Sequence, residues 1–496
     1  MKKYILFVSL LSSSLIIGQN ITDALRFSQN DLTGTARFTA MSGAFGALGG
    51  DFSAFNLNPA GSTVFLNNQA GFTVRSFNVN NKANYFGTKS SQIESSLDIN
   101  QAGAVFVFES TEKSDWSKIA IGVNYENVNN FDNSVFSQGI GSNSLGNYFL
   151  SYANGIRQDV LQNFFFEDLN FAEQQAFLGY QGFVIDPITD TPSNTVYLSN
   201  VPNGVNYFQQ NEYVTNGFNG KLTLNGAVKY KDIFSVGLNV NTHFVDYRQS
   251  TSFYERNDFN NTTTTYNVEQ LRFSNDLYTY GSGLSLQVGT IIKPTKEIRI
   301  GLAYQSPTWY RLTDETNQRL TAVSGNVNEV LAPDFVDPNI TLIYEPYRVR
   351  TAGNFTGSLA YVAGKKGLIS FDYILRNHGD ISLGPNRNFA DQNAVISNTL
   401  RNAAEYRVGG EYKIQKFSLR GGYRFEESPY KNGQTIGDLT GYSGGIGYNF
   451  GRTKLDASYS YAQRFYRQQF FNQGFTDYSS VNTKNHSVAV SLLFEL

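Results

Sequence analysis

Two adjoining segments, 404–414 and 417–426, alternate strictly. In the first, Tyr406, Val408, Gly410, Tyr412 and Ile414 share one face, opposite Arg407, Gly409, Glu411 and Lys413. In the second, Phe417, Leu419, Gly421, Tyr423 and Phe425 oppose Ser418, Arg420, Gly422 and Arg424. Successive side chains of a strand point to opposite faces, so period two over about ten residues marks a strand apolar on one side and polar on the other. The pattern returns at 453–463, where Leu455, Ala457, Tyr459 and Tyr461 oppose Asp456, Ser458 and Ser460. It returns again at 485–496, with Val488, Val490, Leu492, Phe494 and Leu496 on one face. One such pair could belong to any sheet. The number and spacing of the strands are what restrict the fold.

The same template predicts strands at 69–78, 101–110, 118–128, 221–230, 233–247, 281–292 and 297–305, then at 354–364, 367–376, 404–414, 417–426, 441–450, 453–463 and 485–496. The connections alternate in length. Those at 79–100, 129–220, 248–280, 306–353, 377–403, 427–440 and 464–484 are long; those at 111–117, 231–232, 293–296, 365–366, 415–416 and 451–452 are short. Bacterial outer-membrane barrels have an even number of strands, short periplasmic turns and long outer loops. The chain is therefore predicted to be all-β, a 14-stranded antiparallel transmembrane barrel with both ends in the periplasm. A Lys or Arg facing lipid at mid-bilayer costs about 2–4 kcal/mol. The apolar faces carry none, while Arg299, Asp372, Arg407, Glu411, Arg420, Arg424 and Asp456 fall on the other side, toward the lumen. The 31 Tyr and 40 Phe suit the two interfacial girdles of such a barrel.

Export agrees with this reading. Lys2 and Lys3 precede an apolar run at 4–11, then serines, 15–17 and Gly18. That layout predicts a signal peptide over 1–18, too short for a spanning helix. The absence of cysteine excludes disulfides, thiolate metal sites and a lipoprotein anchor, and three scattered His give no metal or haem motif. No cofactor is expected. A net charge of −2 offers no basic surplus for nucleic acid. His243, His378 and His486 have no nucleophile motif beside them, so an enzyme is not expected.

Residues 20–68 precede the first strand and do not alternate. Small residues at Ala40, Gly43, Ala44, Gly46 and Ala47 permit close packing, and Asn58-Pro59-Ala60-Gly61 reads as a turn. With regularly placed Phe45, Phe52 and Phe55, the segment suits a plug inside the lumen, which leaves 69–496 as the barrel.

The stretch 34–61, with Gly-Ala-Phe-Gly-Ala-Leu-Gly-Gly-Asp and Asn-Pro-Ala-Gly, resembles the hatch of FadL/TodX-type outer-membrane transporters. Ile-Gly-Leu-Ala-Tyr-Gln-Ser-Pro at 300–307, Tyr-Arg-Val-Gly-Gly-Glu-Tyr at 406–412 and Leu-Arg-Gly-Gly-Tyr at 419–423 add to the resemblance. It implies a 14-stranded barrel with an N-terminal hatch in the outer membrane of a Gram-negative bacterium. It also implies passive inward transport of hydrophobic small molecules, long-chain fatty acids first among them, by a monomer in contact with outer-membrane lipid. An outer-loop groove and a hatch that gates passage or sideways release belong to the same implication. The corresponding positions are Phe164, Phe165, Phe171, Phe177 and Leu178 in loop 129–220, whose 156–166 stretch looks helical and whose apolar side chains form either that groove or an internal cap that only holds the loops together, and Phe45, Phe55, Asn58, Pro59, Ala60 and Gly61 in the hatch. A fatty-acid-like ligand is the expected partner. The alternative is a non-transporting barrel of the same kind, acting as a partner or scaffold in a secretion complex.

Overall fold

In the computed structural model, residues 21–110 and 114–496 are described; the expected signal peptide, 1–18, lies outside them. Among the described residues, fourteen antiparallel strands close on themselves. They are β1 (Gln69–Tyr85), β2 (Thr88–Glu109), β3 (Trp116–Asn130, resumed as Asn133–Gly141), β4 (Tyr207–Tyr230), β5 (Phe234–Asn257) and β6 (Asn267–Ile292). Next come β7 (Ile298–Gln305, resumed as Trp309–Gly325), β8 (Tyr347–Arg350, resumed as Asn354–Ala363), β9 (Gly367–Asn377) and β10 (Asn402–Ile414). The last four are β11 (Phe417–Glu426), β12 (Ile436–Asn449), β13 (Thr453–Gln469) and β14 (Tyr478–Glu495). Strand β14 pairs with β1 from Gln69↔Glu495 onward, which closes the barrel.

The outward faces show where the bilayer lies. On β5, Phe234, Val236, Leu238, Val240, Thr242 and Phe244 face out, followed by Asp246, Arg248 and Ser250. On β6, Leu284, Leu286 and Val288 are followed by Ser282 and then Tyr280. About eleven residues of a tilted strand span the hydrocarbon. The remainder of these 24- and 26-residue strands stands above it.

Two expected loops are largely sheet. Residues 79–100 form the upper part of a β1–β2 hairpin closed at Phe86-Gly87, both with positive φ, and 248–280 is mostly the upper halves of β5 and β6. Loop 129–220 likewise contains a strand, short helices and a hairpin. The helices are α4 (Gly146–Ala153), α5 (Gln158–Asn163) and α6 (Phe171–Gln181), so the helix expected over 156–166 is shorter and a second follows it. Helices α4 and α6 pack over Phe253 of β5, Phe273 of β6 and Leu320 of β7, forming a lid across the outer mouth.

Residues 21–68 occupy the lumen as short helices, α1 (Ile21–Arg26), α2 (Ala36–Ala40) and α3 (Phe52–Leu57), with a 3-10 turn at Pro59–Val64. The wall fastens this hatch by its backbone, which has too little regular structure to satisfy its own polar groups. Asn225 donates to Pro59 O, Asn239 to Phe55 O, Gln287 to Leu57 O and Arg299 to Leu48 O, all at 2.8–2.9 Å. Asp372 accepts from the N–H groups of Phe45 and Gly46, and Ser491 from that of Ala36. Glu411 holds Arg37 at 2.9 Å and Arg420 at 2.7 Å, and Arg420 reaches Asp456 at 2.6 Å. Of the lumen-facing charges of the sequence, Arg299, Asp372, Arg407 and Glu411 thus serve as hatch anchors.

Glycine lets the hatch come this close. A Cβ at Gly301 on β7 would overlap the carbonyl of Gly46, and one at Gly422 on β11 would overlap the backbone of Met41. Gly301→Leu is expected to displace the hatch from the wall. Conductance of the variant in planar bilayers should rise several-fold over the native barrel, and an unchanged trace would show that the hatch accommodates the side chain.

Candidate functional site: a chamber between hatch and lid

Between the hatch below and the lid above lies a chamber of about 890 Å³. Its upper wall is aromatic: Tyr213, Tyr247, Phe253 and Phe273 from β4 to β6, with Phe470 and Phe471 from the loop after β13. Its lower wall is charged, with Arg26 and Asp31 of the hatch, Arg75 of β1, and Arg424, Glu426 and Arg464 of β11 and β13. Most of these cations are engaged. Arg424 binds Glu405 and Glu426 at 2.7 Å, Arg464 lies 3.0 Å from Glu426, and Arg26 pairs with Asp23 at 3.0 Å. Arg75 differs. It is buried, its Nε has no hydrogen-bond partner, and among the described residues it makes no ion pair; its guanidinium lies 4.8 Å from the Phe77 ring.

The chamber borders a break in the wall. Strands β2 and β3 pair only from Gln101↔Glu126 to Glu109↔Lys118. Above that, β2 pairs with β1 alone, and β3 shifts register against β4 at Asn127/Asn129. Side chains bridge the gap: Asn130 donates to Ser96 Oγ at 2.8 Å and to Asp98, and the Ser90 hydroxyl donates to Phe136 O. Behind it stands hatch stretch 29–34. The Asp31 N–H donates to Val128 O at 3.1 Å, Asn129 to Gln29 O at 2.9 Å and Asn100 to Gly34 O at 2.7 Å. Leu97 (73% exposed) and Ile99 (64%) face outward beside the break. Through β1 they are level with the lipid-facing Val488 and Val490 of β14. Asp31, Leu32, Asn129, Asn130 and Phe131 border both chamber and break, so the two are continuous.

The expected loop residues divide. Phe164 (53% exposed) and Phe165 (73%) stand on the outer surface of the lid. Leu178 is fully buried, and Phe171 and Phe177 pack against the lid's own core, the Phe177 ring 5.7 Å from that of Phe166. These three hold the lid together because α6 turns its apolar side inward. The expected hatch positions lie in the fastened part: Phe45 and Phe55 are buried in hatch–wall clusters, and Asn58 donates to Gly46 O at 2.7 Å and Thr290 O at 3.0 Å. The histidines are scattered. His243 faces Tyr310 and Ser285 inside the barrel, and His486 lies beside Tyr459 and Tyr461. His378 sits in a turn after β9, where burial pushes it down to about 4. Sequence reasoning missed Arg75 and the chamber aromatics. The available signal was the inward parity of Arg75, shared with Thr73 and Phe77.

The fold has solved counterparts. The chain is similar to a Pseudomonas aeruginosa FadL homologue, at 14% identity and a TM-score of 0.52, over 94% of this chain and 99% of that one. It is similar to the Pseudomonas putida toluene transporter TodX, also at 14% identity, with a TM-score of 0.50 and the same coverages. No curated protein matches the sequence. The family model described as outer membrane protein transport protein (OMPP1/FadL/TodX) matches residues 215–493. With its closed barrel and filled lumen, the chain belongs to this family of Gram-negative outer-membrane transport proteins.

Proposed function

We propose that the barrel carries long-chain fatty acids passively inward, by way of the chamber and the break between β2 and β3. The observation that carries the reading is the polarity of the chamber, an aromatic upper wall above a buried, unpaired Arg75. That arrangement suits an apolar tail ending in a carboxylate. A bare aromatic hydrocarbon would add nothing to the charges of Asp31 and Asp98 near the arginine, whereas a carboxylate could pair with it directly. About 890 Å³ is within the range of small-molecule sites. Phe164 and Phe165 offer the first apolar contact outside the lid. The ligand then enters the chamber and leaves sideways past Asn130, where stretch 29–34 and the Asn130–Ser96 bridge form the gate. The fastened part of the hatch, 36–64, stays in place, and no energy source is needed.

Displacement of a fluorescent fatty-acid probe by oleate tests the reading on the purified barrel. Micromolar binding is expected, and absence of binding together with a co-purifying protein would favour the scaffold role. Phe164→Ala with Phe165→Ala removes exposed side chains only. It should slow oleate uptake a few-fold at limiting ligand while leaving equilibrium binding in the chamber unchanged. A matching loss of binding would relocate the site to the lid.

A further inference from the structure

Strands β7 and β8 both break at one level. Ser306-Pro307-Thr308 interrupts β7, Thr351-Ala352-Gly353 interrupts β8, and the breaks are joined by the Thr351 N–H donating to Thr308 O at 3.0 Å and the Thr308 N–H to Thr351 Oγ1 at 2.9 Å. The outward parity changes across the interruption. Below it, Ile298, Ile300, Leu302 and Tyr304 face lipid, with Phe355 and Leu359 beside them on β8. Above it, Trp309 and Arg311 face out on β7, and Arg348 and Arg350 on β8. Arg311 is in register with Arg348, and Trp309 with Arg350.

Like charges directly opposite on a sheet repel, at side-chain separations of about 5 Å. Among the described residues, none of the three arginines makes an ion pair or a side-chain hydrogen bond, and all three are exposed. Their flanks on the sheet are uncharged: Ser282 beside Arg311, Gly384 beside Arg348 and Ser382 beside Arg350. Two carboxylates on the same outer face are taken elsewhere. Asp246 accepts from the Tyr278 hydroxyl, and Glu315 is bonded to Tyr280. The triad also sits at one defined depth. Trp309 is level with the lipid-facing Leu284 of β6, and Arg311 is one outward position higher, where aromatic girdle gives way to lipid headgroups.

We propose that Arg311, Arg348 and Arg350 form a receptor for the phosphates of the outer-leaflet glycolipid, whose acyl chains lie along the apolar band below. Guanidinium forks bind phosphate oxygens bidentately, and a phosphate bound between Arg311 and Arg348 turns their repulsion into a bridge. The site lies on the outside of the barrel and does not depend on which ligand the chamber takes.

The test is retention of bis-phosphorylated lipid A by the purified full-length barrel, counted by native mass spectrometry. Arg311→Gln, Arg348→Gln and Arg350→Gln together are expected to lower occupancy by about tenfold or more, as is lipid A stripped of its phosphates on the native barrel. The control replaces Arg248, Arg272 and Arg319 with Gln; these are engaged by Tyr278, Tyr254 and Asp276. It removes the same charge and should retain lipid A. Heat-modifiable gel mobility verifies that each variant is folded, and Arg348→Gln alone serves if the triple variant is not. Inorganic phosphate at millimolar concentration should not displace the lipid. Equal retention by native and triple-variant barrels, equal loss in the control, indifference to the lipid's phosphates, or displacement by inorganic phosphate would each overturn the proposal.

Discussion

Joining residues 96 and 130 is expected to stop uptake. Ser96→Cys with Asn130→Cys places two thiols where a side-chain hydrogen bond of 2.8 Å now bridges the stretch of wall in which β2 and β3 share no ladder. The native chain has no cysteine, so the introduced pair is free of competing thiols. Bridged by oxidation or a short thiol crosslinker, the barrel should take up labelled oleate at least about tenfold more slowly, and reduction of the disulfide should restore the rate. A second pair separates this route from one through the hatch. The hydroxyls of Ser42 and Ser443 lie 2.7 Å apart, so Ser42→Cys with Ser443→Cys pins the fastened part of the hatch to β12. Uptake should survive that lock. If the hatch lock abolishes transport and the wall lock does not, ligand passes through the hatch and the break is structural.

The strands were legible because lipid and water impose opposite demands on adjacent residues. Every predicted segment became a barrel strand, and each predicted inward charge found a luminal role, as Asp372 did beneath the N–H groups of Phe45 and Gly46. The upper halves of the strands were not legible. Above the bilayer the outer face of β1 reads Asn78, Asn80 and Lys82, and the matching part of β2 reads Ser95, Ile93 and Ser91, so no apolar period marks them. Inward apolar positions such as Val105 and Ala120 blurred the pattern for the opposite reason: they pack on Phe52 and Phe55 of the hatch rather than face water. In the lid, aromatic content alone did not separate Phe165, which is exposed, from Phe177, which is packed on the lid core. Only the fold of α6 does that. Arg75 escaped notice because the absence of a partner is a property of three-dimensional neighbours.

That absence leads to the second large effect. Arg75→Gln keeps a polar side chain but shortens it and removes the charge, so the aromatic wall of the pocket is preserved while the proposed carboxylate partner is lost. Hydrogen bonds to charged groups contribute about 1.5–3 kcal/mol, so oleate affinity should fall about tenfold to a hundredfold. Methyl oleate has the same tail and no charge, and its affinity should change little. The contrast separates capture of a carboxylate from a general role in packing, because a merely structural arginine would weaken both ligands alike. Removing this buried cation gives up its attraction to Asp31 and Asp98 but also its desolvation, so the stability of the barrel should change little. If oleate and its methyl ester lose affinity equally, the chamber recognises tails alone and the fatty-acid reading gives way to a carrier of uncharged hydrophobic compounds. If only oleate loses affinity, the guanidinium on β1 is what selects an acid from the many apolar molecules that the aromatic wall would otherwise admit.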